Sequence, residues 1–168
     1  TEPMIDTPGE HIVRYRGPQL ETVVSTRYAS TRIGEDWLIL QVALSGMQSA
    51  ATEVRRDSVF LRLPDGNRIP IMAYEEFKRH YDEIAGPARQ AAIASEPLSF
   101  TRANRRPCSL SFMPLPNTGV VLEARNVTKN ELCQGLLYFK VPGGVQPGRY
   151  ELEIELEEGD VEVPFSLP

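Results

Sequence analysis

The side chains of this chain that could do chemistry fall into four groups. Glu76, His80 and Glu83 stand at i, i+4 and i+7. On a helix they would share a face and offer one nitrogen and two carboxylates to a metal ion. No fourth ligand accompanies them and the His-Glu-x-x-His pattern is absent, so the plainer use of the row is a solvated helix face with a Glu–His pair. Glu151, Glu153, Glu155 and Glu157 alternate with Tyr150, Leu152, Ile154 and Leu156. Same-face residues on a strand stand ~6.8 Å apart, twice the rise per residue. Calcium takes six to eight oxygens at about 2.3–2.6 Å, more than one strand supplies, even with Asp160 and Glu162 from the next. The stripe therefore reads as the wet face of a sheet, whose charge discourages edge pairing, or as a surface for a basic protein partner. Glu76 and His80 are the other members of that expected partner surface. Arg102, Arg105 and Arg106, with Arg55 and Arg56 elsewhere, form the basic clusters. They could hold a phosphate, but the charge split described below favours contact with the protein's own acidic sheet. Cys108 and Cys133 are the fourth group.

Nucleophilic catalysis has few partners here. His11 and His80 are the two histidines, and neither neighbours a serine or cysteine motif. No Gly-x-Ser-x-Gly, P-loop or dinucleotide fingerprint occurs. The expectation is a protein that is not an enzyme and needs no cofactor and no metal. Asn126-Val-Thr128 is a formal glycosylation sequon, expected in a loop and read as a turn.

The formal net charge is -5. Residues 149–168 hold seven acidic residues and one basic residue, so the other 148 residues sum to +1. A general nucleic-acid binder needs excess positive charge to displace counterions, so nucleic acid is excluded as the expected partner. No stretch approaches the ~20 apolar residues of a membrane span. Both cysteines lie in or beside strand-like runs, which together with their even count points to a Cys108–Cys133 bridge. Closing that loop would stabilise by about 3–4 kcal/mol in the chain-entropy model. A bridge implies an oxidising compartment.

The elements that must position these residues are mostly strands. Residues 1–20 carry Pro3, Pro8, Gly9, Gly17 and Pro18 and read as an N-terminal leader, with a short strand at 11–15; residues 21–168 form the domain. Residues 22–31 are rich in β-branched side chains and read as a strand. Residues 37–44 are apolar on both faces, as in a central strand covered on both sides. Residues 57–73 read as a hairpin, with Val59, Leu61 and Leu63 on one face and Pro64-Asp65-Gly66-Asn67 as the turn. Pro70 cannot donate to a ladder, so the return strand belongs at an edge or frays early. Tyr74, Phe77, Tyr81 and Ile84 recur at helical spacing, which predicts a helical insertion at 74–95, stopped at Gly86-Pro87 and restarted by Pro87. Strands resume at 108–113, 120–124, 136–141, 149–157 and 161–167. Short strands with turn signals every 8–12 residues predict a sandwich or barrel.

Two phrases near the C-terminus carry a resemblance. Cys133-Gln-Gly-Leu-Leu-Tyr-Phe-Lys-Val141 leads through Pro142-Gly143-Gly144 to Pro147-Gly-Arg-Tyr-Glu-Leu-Glu-Ile154. The last sixty residues thus resemble the immunoglobulin-like domains of exported bacterial proteins and lipoproteins of unknown function. The Trp37 strand and the Asp65-Gly66 hairpin fit the same layout. The resemblance implies an all-β, immunoglobulin-like antiparallel β-sandwich with a short helical insertion, in the periplasm or at the cell surface. It implies no catalytic residue. The expected function is a non-catalytic binding or structural module, meeting another protein at the cell envelope. A lipid-anchored precursor, tethered by the residues before Glu10, is a further expectation. The competing class is a small-molecule carrier or metal-dependent enzyme with its site under the 74–95 insertion.

Overall fold

The computed structural model describes residues 2–98 and 105–168. Its strands, in chain order, are β1 (Met4–Gly9), β2 (Ile12–Arg16), β3 (Leu20–Ser25), β4 (Trp37–Gly46), β5 (Thr52–Arg55), β6 (Val59–Arg62), β7 (Arg68–Pro70), β8 (Arg106–Ser109), β9 (Ala124–Val127), β10 (Glu131–Lys140), β11 (Gly148–Ile154) and β12 (Val161–Leu167). Two α-helices, α1 (Tyr74–Arg79) and α2 (Tyr81–Ile93), lie between β7 and β8.

A six-stranded sheet has the order β1-β2-β3-β4-β10-β8, a four-stranded sheet the order β12-β11-β6-β7, and β5 pairs with β9. Side chains from both larger sheets meet in one core, where Leu38, Leu40 and Val42 of β4 face Leu61 of β6, Leu152 of β11 and Val163 of β12. The two-residue period of a strand does the sorting. The alternate residues Trp37 and Ile39 point the other way and are also buried, in a second cluster with Tyr28, Phe77, Ile84 and Tyr138 under the helices. The run at 37–44 is therefore covered on both faces, as its composition implied. Pro70 lies in β7, at the edge of its sheet.

Several expectations change. Residues 4–16, read as part of a leader with a short strand at 11–15, form the β1–β2 hairpin, of which β2 is that strand, and pair onto β3, because Ile12 and Tyr15 have apolar neighbours to bury against. The strand read at 22–31 ends at Ser25 and is followed by a short 3-10 turn at Ala29–Thr31. The helical insertion does not stop at Gly86-Pro87. It breaks at His80 (φ -102°, ψ 15°), and Pro87 sits inside α2. A proline inside a helix costs about 3 kcal/mol. Ile84, Ala88 and Ala91 keep one stripe buried across it, and that docking offsets the cost. The strand expected at 120–124 is displaced to Ala124–Val127, so Asn126 of the sequon is an exposed strand residue rather than a loop residue. Not every pair is antiparallel: β8 runs parallel to β10.

The bridge between Cys108 and Cys133 is present. The two residues are register partners on β8 and β10, so the disulfide pins an edge strand to its neighbour.

Candidate functional site

β11 places its glutamates on the outer face of the four-stranded sheet, beside Phe60 and Arg62 of β6, Arg68 of β7 and Glu162 of β12. This face is not simply wet. Glu153 is only 6 % exposed. It accepts hydrogen bonds from Arg62 Nε at 2.9 Å and Arg68 Nε at 2.8 Å. The Arg68 guanidinium also lies 3.7 Å from the centre of the Phe60 ring and reaches Glu155 at 3.4 Å. Burial raises the Glu153 carboxyl, but the hydrogen bonds from Arg62 and Arg68 outweigh it and hold the group below its ordinary range. Glu151 goes the other way. Burial, then the hydrogen bond it makes to Glu153 and the charge of Glu162, push it up to about 7. Arg62 and Arg68 bond Glu153 and Glu155, whereas Glu151 stands beside the carboxylates of Glu153 and Glu162.

The stripe then leaves the sheet. Glu155, Glu157 and Glu158 line one wall of a groove of about 480 Å³, whose other walls carry Gln19, Gln48, Thr52 and Glu53. Gln19 is nearly buried and donates to Glu158 Oε2 at 3.0 Å. Its backbone oxygen accepts from Met47 N, which seats the β4–β5 loop against it. Arg55 also lines the groove but is engaged by Glu53 and Asp57. Glu157 is exposed and has no ion pair or hydrogen bond among the described residues. The groove thus offers carboxylates and side-chain amides to a cationic ligand with hydrogen-bond donors. A second cleft, of about 370 Å³, lies between the β1–β2 hairpin and β12 and has Ile5, Ile12 and Phe165 among its walls.

His80 and Glu76 line neither groove. His80 packs against Trp37, with ring centres 6.2 Å apart, and its Nδ1 stands 3.8 Å from Glu83 Oε1. Glu76 is half-buried on α1. Among the described residues no three His, Cys, Asp or Glu side chains are grouped so as to hold a metal ion. The basic clusters are dispersed. Arg105 pairs with buried Glu21 at 2.7 Å, Arg56 donates to the Phe112 carbonyl at 3.2 Å, and Arg102 lies outside the described residues.

Reading residue by residue misses Gln19, Gln48, Thr52 and Glu158, which come from three separate segments and have no common spacing. Arg62 and Arg68 did leave a signal. If Val59 and Leu61 face the core, Phe60 and Arg62 must face out beside any glutamate strand. No family model matches the chain, and no curated protein or solved structure matches it either.

Proposed function

We propose that this protein is a non-catalytic binding module of an extracytoplasmic compartment, whose acidic groove receives an extended, lysine- or arginine-rich segment of a protein partner. The observation that carries this reading is the groove itself. It has four glutamates, two side-chain amides, and one arginine already engaged by carboxylates. Opposite charges across such a rim steer encounter and fix register.

The fold side of the reading is an immunoglobulin-like sandwich. Two sheets with a shared core support it. So does Tyr150, near the start of β11. Its hydroxyl donates to the Gln146 carbonyl at 2.6 Å and accepts from the Gln146 amide at 3.0 Å. A tyrosine bonded back to the backbone just upstream of its strand is the corner device of such sandwiches. The disulfide supports an oxidising, extracytoplasmic location. Among the described residues no helix is long and apolar enough to cross a membrane.

The test is an NMR titration of the labelled protein, at physiological salt, with an extended peptide alternating lysine and serine. Shifts should concentrate at Gln19, Gln48, Thr52 and Glu155–Glu158. The double variant Glu53→Gln, Glu157→Gln should weaken binding about fivefold, the effect of losing roughly 1 kcal/mol of charge attraction. Absence of binding, or shifts spread evenly over all acidic residues, would refute the reading. Shifts confined to Trp37, His80 and Tyr81 would point instead to a site under the helical insertion.

A further inference from the structure

The two sulfurs of the Cys108–Cys133 bridge are not equivalent. Cys133 is 0 % exposed and belongs to the shared core, whereas Cys108 is half-buried on edge strand β8. Arg125 Nε donates to Cys108 Sγ at 3.0 Å. Arg125 is carried by β9, which pairs with β5 rather than with β8, so the guanidinium is positioned independently of the strand it touches. Among the described residues Cys108 Sγ is its only hydrogen-bonding partner. A guanidinium on a sulfur favours the thiolate, and the thiolate is the nucleophile of thiol–disulfide exchange. Burial in an apolar core does the opposite to Cys133.

We propose that in the reduced protein Cys108 is a reactive site for low-molecular-weight disulfides, and that Cys133 is its resolving thiol. The Cys108 thiolate attacks one sulfur of the reagent RSSR. A Cys108–S bond forms, the reagent S–S bond breaks, and RS⁻ leaves. Cys133 then attacks Cys108 Sγ, its proton passing to solvent, and a second RS⁻ leaves as the bridge closes. Two protein thiols are oxidised and one reagent disulfide is reduced to two thiols. The order is set by access, because an external disulfide reaches Cys108 and cannot reach Cys133 without opening the core. By microscopic reversibility an external thiolate reducing the bridge must enter at Cys108 and expel Cys133.

Two measurements test this. First, Cys133→Ser protein treated with glutathione disulfide under native conditions should form one adduct, on Cys108. Cys108→Ser should form none until denaturant is added. Adding Arg125→Gln to the Cys133→Ser background should slow adduct formation about tenfold. Comparable rates at the two cysteines, or a rate indifferent to Arg125→Gln, would overturn the proposal. Second, the intact oxidised protein, which keeps its bridge and its fold, is exposed briefly to 2-mercaptoethanol, quenched in acid and alkylated. Peptide mapping should find mercaptoethanol on Cys108 and the alkyl group on Cys133. Mercaptoethanol on Cys133 sinks the assignment whatever the variants do.

Discussion

The outer faces of the two larger sheets are built on opposite principles. Over β4 and β10 of the six-stranded sheet lie α1 and α2, and the contact is aromatic: Phe77 of α1 stands 5.0 Å from Tyr138 of β10, ring centre to ring centre. Phe77 and Ile84 are wholly buried, and the Tyr138 hydroxyl is raised well above its usual range by burial. The outer face of the four-stranded sheet instead carries glutamates and arginines bonded across strands. Apolar contact is non-directional and tolerates irregular elements, so it can accept a helix broken at His80 and carrying Pro87. The charged lattice depends on register. A one-residue slip of β11 would turn Glu151 and Glu153 into the core and Leu152 out of it.

The largest effect should come from breaking the aromatic face. Phe77→Ala is expected to cost about 3–5 kcal/mol in urea unfolding. A loss under 1 kcal/mol would mean that the helices are only loosely laid on the sheet. Next comes Glu153→Ala, which leaves Arg62 and Arg68 side by side without their shared carboxylate. Because those guanidiniums are part-exposed, about 1–2 kcal/mol is expected. Equal stability in the variant would show that the lattice is ordinary surface charge.

The pH dependence separates the two carboxylates further. Glu151 is raised to about 7 from an ordinary 4.5. Its stabilising contribution is therefore complete below 4.5 and is lost as pH rises through about 7. Glu151→Gln should gain about 1 kcal/mol at pH 8, after discount for its partial exposure, and nothing at pH 4. Glu153 has the opposite sign. Its contribution is present above the ordinary carboxylate range and is lost as pH falls through its lowered value. Unfolding midpoints of both variants from about pH 2 to 9 check the pair, and curves parallel to the parent protein over that whole range would refute the opposed shifts. The smallest effect belongs to Glu157→Gln in the groove, within about 0.5 kcal/mol on stability. Its consequence should appear only in binding of the lysine–serine peptide.

Legibility in the sequence follows the range of the interaction. Hairpin β6–β7 was legible because Pro64-Asp65-Gly66-Asn67 is a local device: Asp65 Oδ1 accepts from the Asn67 amide at 2.9 Å, and Gly66 takes φ 90°. The helical insertion was legible in its apolar stripe but not in its break, because proline's local cost was weighed without the docking that offsets it. Of the β1–β2 hairpin only the second strand was legible, since prolines and glycines at 3–18 mark turns equally well in a leader and in a paired edge. Within the glutamate row the period identified one face, but not that Glu153 would be sealed by two arginines while Glu157 stayed free.

What the chain determined by itself is the strand period, the turns, the acidic surplus of its last twenty residues and the pairing of its two cysteines. All of these are set by neighbours a few residues apart, or by a count that leaves a single partner. Tertiary structure alone decided which glutamate is buried, which has its carboxyl pushed up by burial, which faces a groove, and which cysteine sulfur meets a guanidinium. Those outcomes depend on side chains 85 to 139 positions away — Glu158 Oε2 bonded by Gln19, Glu153 by Arg62 and Arg68 — or brought by a strand of another sheet, as Arg125 is to Cys108. Charge and proton affinity are read out at distances of about 3 Å, which no periodicity encodes.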